Sequence, residues 1–164
     1  NKEIEPTADA VEILQRQKMG ALIVLERSTR LGEIARSGTL IEAEPSGELI
    51  SNIFFNKAPL HDGAMIIREG KIYAAGCILP LTDNLQISRE LGTRHRAGVG
   101  MSENSDCVGV ILSEETGAIS LAESGELTRN YTKETLKKAL ADRILWNAEE
   151  TKPRIRRRRK GARS

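Results

Sequence analysis

Ala64-Met65-Ile66-Ile67-Arg68-Glu69-Gly70-Lys71-Ile72-Tyr73-Ala74-Ala75-Gly76-Cys77-Ile78-Leu79 decides the fold class. Two apolar runs, Ala64–Arg68 and Ile72–Leu79, flank Glu69-Gly70, and so short a connection joins antiparallel neighbours rather than parallel ones. Asp106–Leu112 and Ala118–Ala122 bracket Glu114-Glu115-Thr116-Gly117 and predict a second hairpin. Helical patterns are interleaved with these strands. Residues 7–18 place Ala8, Val11 and Leu14 on one side, with Thr7 as the expected N-cap after Pro6 and Gly20 ending the segment. Ala21–Leu25 is apolar throughout, as a buried strand is, and Leu31–Ala35 reads as a short helical turn. Ser46 caps a predicted helix carrying Leu49, Ile50, Ile53 and Phe54, and Thr132 opens a last one striped by Leu136, Leu140 and Ile144. The expectation is α/β, with a mixed parallel/antiparallel central β-sheet flanked by helices.

At 164 residues the chain suits one domain with a sizeable core. Aromatic residues are only 3%, so that core must be aliphatic, and a stacking platform for single-stranded nucleic acid is poorly supplied. The net charge of +2 hides an asymmetry. Eight of the 25 Lys and Arg lie in Lys152–Ser164, leaving 17 against 23 acids, a net −6, for residues 1–151. A phosphate ligand would therefore be held by local arrangement and not by a global positive field. Residues 1–150 are expected as the folded domain and residues 151–164 as a basic, disordered tail. The run Arg156-Arg157-Arg158-Arg159-Lys160 suits nucleic acid or an anionic bilayer surface, or is a dispensable terminus. Cys77 and Cys107 sit in apolar runs and are expected as buried free thiols. No run of about 18 apolar residues predicts a membrane span. The first residues, Asn1-Lys2-Glu3-Ile4-Glu5, resemble no signal peptide and lack an initiating Met, as in a fragment of a longer chain.

Chemistry concentrates in two places. Leu60-His61-Asp62-Gly63-Ala64 offers a carboxylate on a glycine turn, and Gly92-Thr93-Arg94-His95-Arg96 offers basic groups behind a glycine and a hydroxyl. Oxygen ligands for a divalent cation, with Arg forks and backbone N–H groups for phosphate oxygens, are what a nucleotide site needs. Asp62-Gly63 alone is also a common turn dipeptide. His61 reads equally as a metal ligand, a phosphate orienter or a satisfied structural histidine. A helix starting near Thr93 would add its N-terminal amides to an anion site. In Ser113-Glu114-Glu115, a glutamate would complete a metal site with Asp62 if the strand ends are neighbours; otherwise these are solvent-facing turn residues.

These segments, together with Met19-Gly20-Ala21-Leu22-Ile23, Asn52-Ile53-Phe54, Leu79-Pro80-Leu81 and Ser113-Glu114-Glu115-Thr116-Gly117, resemble the diadenylate cyclase (DAC) domain from about Ile13 to Leu127. The Asp-Gly-Ala and Arg-His-Arg motifs are that family's signatures, and the branch most resembled is the membrane-associated CdaA type. The resemblance implies the DAC fold and condensation of two ATP into cyclic di-3′,5′-AMP with release of two pyrophosphates. It implies Asp62, Gly63, Arg94 and His95 as catalytic residues and Gly63, Leu79, Thr93, Arg94, His95, Arg96 and Ser113 as ATP-binding residues. Leu79 would line the adenine pocket, and Arg96 would buttress the phosphate loop. Asp62 and Glu115, with His61, would hold Mn²⁺ or Mg²⁺. Catalysis would need a homodimer whose protomers face each other, each bringing one ATP. In the longer protein the resemblance implies a place at the cytoplasmic face of the cell membrane, with a membrane-bound regulator and a sugar-phosphate mutase as partners. Nucleic acid is not expected as a partner.

Two departures stand out: Ile78 where the branch often has Tyr, which forgoes about 1 kcal/mol of ring stacking, and Gly98 where it often has Ala. The rival readings are a catalytically silent nucleotide sensor and a nucleic-acid binder acting through its tail.

Overall fold

The structure, a computed structural model, describes residues 2–84, 86–87 and 91–150, the last six by backbone alone. The basic tail, residues 151–164, lies outside the described residues. The elements in order are α1 (Ile4–Arg16), β1 (Ala21–Leu25), α2 (Gly32–Arg36), β2 (Thr39–Ala43), α3 (Gly47–Ile53), β3 (Ala64–Arg68), β4 (Lys71–Cys77), α4 (Thr93–Glu103), β5 (Val108–Leu112), β6 (Ile119–Glu123), β7 (Glu126–Tyr131) and α5 (Lys133–Glu150). The strands form one sheet in the order β2-β4-β3-β1-β5-β6-β7. β1 and β3 run parallel, and the other described pairings are antiparallel. The mixed sheet flanked by helices is the one the two hairpins predict.

Period-two alternation sorts the side chains between two cores. Ala21, Ile23 and Leu25 of β1, with Met65 and Ile67 of β3, face the layer of α1, α3 and α5, where Leu14, Ile50, Leu136 and Leu140 are buried. Leu22 and Val24, with Ala64 and Ile66, face α2 and α4 through Ala35, Ala97 and Val99. Strands β1 and β5 are covered on both faces and buried at every position, which is why they read as continuous apolar runs.

Two strands escape sequence reading, and both are edges. Thr39–Ala43 and Glu126–Tyr131 are largely exposed, and neither shows a clean alternation of apolar and polar residues. Each carries a residue at positive φ, Glu42 (52°) and Asn130 (69°), and its pairing register shifts nearby. Such irregular edges discourage further strand addition.

Helix α1 corrects the expected N-cap. Thr7 is fully buried inside the helix, and its N–H donates to Glu3 O at 3.0 Å. The helix starts at Ile4 because Pro6, lacking an N–H, is tolerated in the first turn, where N–H groups have no intrahelical acceptor. Ser46 does cap α3, accepting from Leu49 N at 3.0 Å. At the start of α5 the Thr132 and Thr135 hydroxyls cap each other's N–H groups at 2.7 and 3.1 Å. Strand β4 stops at Cys77, short of the predicted Leu79, and Ile78 is 71% exposed beyond it. Cys77 and Cys107 are both free and buried, and burial pushes the Cys77 thiol up to about 11. Among the described residues no helix is long and apolar enough to cross a membrane.

Candidate active site

Strand direction gathers the chemistry at one edge of the sheet. Because β1 runs parallel to β3 and antiparallel to β5, the starts of β1 and β3 and the end of β5 share that edge. Asp62 and Gly63 lead into β3, and Ser113–Glu115 follow β5. Helix α4, packed across β1 and β5, points its N-terminus at the same place. The result is a cavity of about 540 Å³ lined by Asn56, His61, Asp62, Gly63, Gly92–His95 and Ser113–Glu115. Strand ends neighbour one another, as the glutamate reading required, with β1 between them.

Gly63 is required by its own backbone. Its φ is +97°, and a Cβ there would lie 2.7 Å from Cys77 O and 2.8 Å from Gly76 C. The residue therefore lets the β3 entry close against β4, and this holds the Asp62 carboxylate out, its side chain 86% exposed. Beside it, His61 Nδ1 lies 2.8 Å from Ala58 O; a carbonyl only accepts, so Nδ1 carries the proton. His61 Nε2 then stands 3.3 Å from Asp62 Oδ1. Imidazole nitrogen and carboxylate oxygen, both facing the cavity, are a donor pair that fits Mn²⁺ or Mg²⁺. Glu115 lines the cavity but does not join them: among the described residues no three His, Cys, Asp or Glu side chains converge as a metal cage. A site that leaves most positions to phosphate oxygens and water is the usual form for Mg²⁺.

Helix α4 presents an open anion site. Its N-cap is Gly92, with no capping side chain and no acid in the first turn, so the amides of Thr93–His95 stay free of intrahelical partners. Arg94 leans across Gly20, where a Cβ would come within 2.6 Å of its Nη1, and reaches Glu114 at 3.5 Å. His95 is buried, and burial, then the charges of Arg129 and Arg94, hold its imidazole below the usual 6.5, hence neutral at pH 7. Ser113 Oγ accepts from Thr116 N at 3.2 Å and keeps its own hydrogen free to donate. Asp62, Glu114 and Glu115 outnumber Arg94, so the lining is negative at neutral pH.

Two predicted residues lie outside the cavity. Leu79 is 6% exposed and packs into the α2/α4 core, because the chain turns inward after Ile78; Ile78 is the side chain exposed at that strand end. Arg96 is one turn into α4, and its carbonyl accepts from Thr82 N at 3.0 Å, bracing the loop after β4. Asn56 in the cavity lining and Gly20 against Arg94 are features that site reasoning missed, whereas Glu114 belongs to the glutamate pair weighed above. Gly20 sat inside a quoted motif, whereas Asn56, placed by the turn after α3, carried no local signal.

Comparison with known proteins identifies the family and the fold. The model of the DAC family, described as DisA bacterial checkpoint controller nucleotide-binding, matches residues 8–127. The chain is 44% identical over 150 residues to the cyclic di-AMP synthase CdaA of Bacillus subtilis (strain 168), covering 92% of this chain and 55% of that relative. It thus spans little more than half the length of that curated relative. Among solved structures, a double mutant of DacA from Staphylococcus aureus superposes with a TM-score of 0.84 at 45% identity, over 87% of this chain and 95% of that one. A hypothetical membrane spanning protein from Bacillus cereus superposes at 0.72 with 42% identity, over 75% of this chain and 60% of that one. With the family model matched from residue 8 to residue 127 and the fold shared with DacA, this chain belongs to the DAC family.

Proposed function

We propose that residues 1–150 are the catalytic domain of a diadenylate cyclase, which joins two ATP into cyclic di-3′,5′-AMP and releases two pyrophosphates. The observation that carries this is the convergence, in one cavity of about 540 Å³, of the uncapped α4 N-terminus, Arg94, Ser113 and the His61–Asp62 pair. In each half-reaction a ribose 3′-oxygen bonds to the α-phosphorus of the other nucleotide. The bond from that phosphorus to the bridging oxygen breaks, pyrophosphate leaves with the electron pair, and the 3′-hydroxyl proton is lost. Such transfers depend mainly on positioning and charge stabilisation.

The amides of Thr93–His95, the Arg94 guanidinium and the Ser113 hydroxyl donate to phosphate oxygens. Asp62 receives the 3′-hydroxyl proton or orients that hydroxyl for attack, on the carboxylate that Gly63 holds out. Neutral His95 offers one N–H without adding charge. Ile78 gives the adenine an apolar neighbour, with Leu79 packed behind it, and Arg96 braces the loop. A divalent cation, Mn²⁺ or Mg²⁺ held by Asp62 and His61 with Glu115 nearby, would neutralise phosphate charge. The need is electrostatic, since three carboxylates and one Arg line the cavity that must admit a polyanion.

One protomer supplies one site, so two must face each other as a homodimer. Exposed Phe55 (49%) and Ile78 (71%), each adjoining a residue at the cavity edge of the sheet, support a second copy covering that edge. Attachment to the cytoplasmic face of a membrane, a membrane-bound regulator and a sugar-phosphate mutase partner belong to the same reading, through the family branch. The test is incubation with ATP and Mn²⁺ over a range of protein concentrations, with nucleotides separated by chromatography. Cyclic di-AMP rising more steeply than linearly with enzyme is expected; intact ATP at every concentration, with binding still detectable, would replace the cyclase with a nucleotide sensor.

A further inference from the structure

A second cavity, of about 230 Å³, adjoins the first and shares His95, Ser113 and Glu115 with it. Its far side adds Ser120 of β6 and Arg129 of β7. Neither is used in the function proposed above, Ser120 is anomalous, and Arg129 is an exposed cation at the mouth of the cavity. Ser120 is fully buried, and its Oγ has no hydrogen-bond partner among the described residues. A buried hydroxyl in that condition calls for an explanation, because leaving it unpaired is unfavourable. Arg129 forms no ion pair or hydrogen bond among the described residues, although the Glu115 carboxylate lines the same cavity. Its charge is nevertheless felt across the cavity, since it helps to hold His95 neutral.

We propose that Ser120 and Arg129 form an anion subsite that receives the β- and γ-phosphates of ATP and holds them as pyrophosphate after the α–β bond breaks. This rests on the cyclase reading for the identity of the anion. The main cavity carries three carboxylates and a single Arg, itself near Glu114, so a departing pyrophosphate finds little fixed positive charge there. Across both linings, Arg129 is the remaining guanidinium, and it is free to fork onto phosphate oxygens. Ser120 supplies the donor its burial leaves unused. The cavity has less than half the volume of its neighbour and is ample for a diphosphate. Neutral His95 stands at the junction, where its N–H can serve the bridging or β-phosphate oxygen without trapping the product by charge. Glu115, facing the same space, opposes tight retention and favours release.

The test titrates the full chain calorimetrically with inorganic pyrophosphate and, separately, with AMP, neither with added metal. Wild type, Arg129→Ala, Arg129→Lys and Ser120→Ala are compared after circular dichroism shows each to be folded. Pyrophosphate affinity should fall at least tenfold in Arg129→Ala, recover in part in Arg129→Lys, and fall severalfold in Ser120→Ala. AMP affinity should stay within twofold throughout. In turnover assays, product inhibition by pyrophosphate should weaken in Arg129→Ala by the same factor as binding. Pyrophosphate affinity within twofold of wild type in Arg129→Ala, or no pyrophosphate binding to wild type at millimolar concentration, overturns the subsite. A wild type that makes no cyclic di-AMP yet binds pyrophosphate through Arg129 overturns the cyclase reading and leaves the anion subsite standing.

Discussion

Gly20→Ala separates the placement of Arg94 from the stability of the fold. Gly20 lies in the link between α1 and β1, at a φ outside the positive region, so an L-residue fits its backbone. The added methyl would sit 2.6 Å from Arg94 Nη1 and 2.8 Å from its Cζ, where ordinary contact begins at 3.4 Å. The guanidinium must therefore retreat by about 1 Å. It is the end of a flexible side chain, so the move costs little folding energy, and Gly→Ala at a compatible site stabilises by about 0.4–1 kcal/mol through the unfolded chain. A 1 Å misplacement of a positioning group can cost about 100-fold in rate. Melting should therefore be unchanged or slightly raised, while kcat/KM for ATP falls on the order of 100-fold. Thermal denaturation alongside chromatographic rates settles both halves. Wild-type turnover in Gly20→Ala would refute the phosphate role of Arg94, and a large drop in Tm would refute the steric account.

Asp62→Asn keeps the shape of a side chain that is 86% exposed, so stability should shift by less than about 0.5 kcal/mol. Turnover should fall at least about 100-fold, and retained turnover would exclude the carboxylate from the chemistry. The Glu26 side chain is fully buried, its carboxylate bound by Arg68 at 2.7 and 2.9 Å. Burial pushes it up, but the bonds from Arg68, Leu31 N and Arg30 outweigh this and hold it below 4.5. Glu26→Gln should cost about 3 kcal/mol, the lower end for a broken buried pair because Arg68 retains some solvent. That is a Tm loss of about 6–12 °C for a domain of this size, measurable by calorimetry. A variant melting like wild type would show the pair to be expendable. His95 titrates the other way. Its folded value lies below 6.5, so the unfolded chain binds the extra proton, and stability should decline as pH falls through 6.5. His95→Gln should lose less Tm between pH 7 and pH 5 than wild type; equal pH slopes would contradict the buried neutral imidazole.

The strongest sequence readings concern segments whose neighbours matter least. Ala21–Leu25 and Val108–Leu112 are covered on both faces and read as strands from composition alone. The Ser46 cap is local chemistry spanning three residues. The edge strands Thr39–Ala43 and Glu126–Tyr131 were invisible because an edge is defined by what fails to lie beside it. Thr7 misled because its type favours a cap, whereas packing buried it inside α1.

What the sequence by itself determined is the chemical inventory and its order along the chain. Asp62 on a glycine turn, the Thr93-Arg94-His95 run and Ser113–Glu115 were legible as nucleotide chemistry, and the hairpins were legible as a mixed sheet. Tertiary structure alone decided which of these meet. The β1–β3 parallel and β1–β5 antiparallel pairings bring residues 62 and 113 to one edge, and the packing of α4 across those strands aims its free amides there. The β5–β6 and β6–β7 pairings place Ser120 and Arg129 behind His95, on strands whose sequence gave no hint of a site. Side-chain type is a property of one residue, but convergence depends on strand order and direction. Those are set by the burial of two aliphatic cores, to which the site residues contribute little.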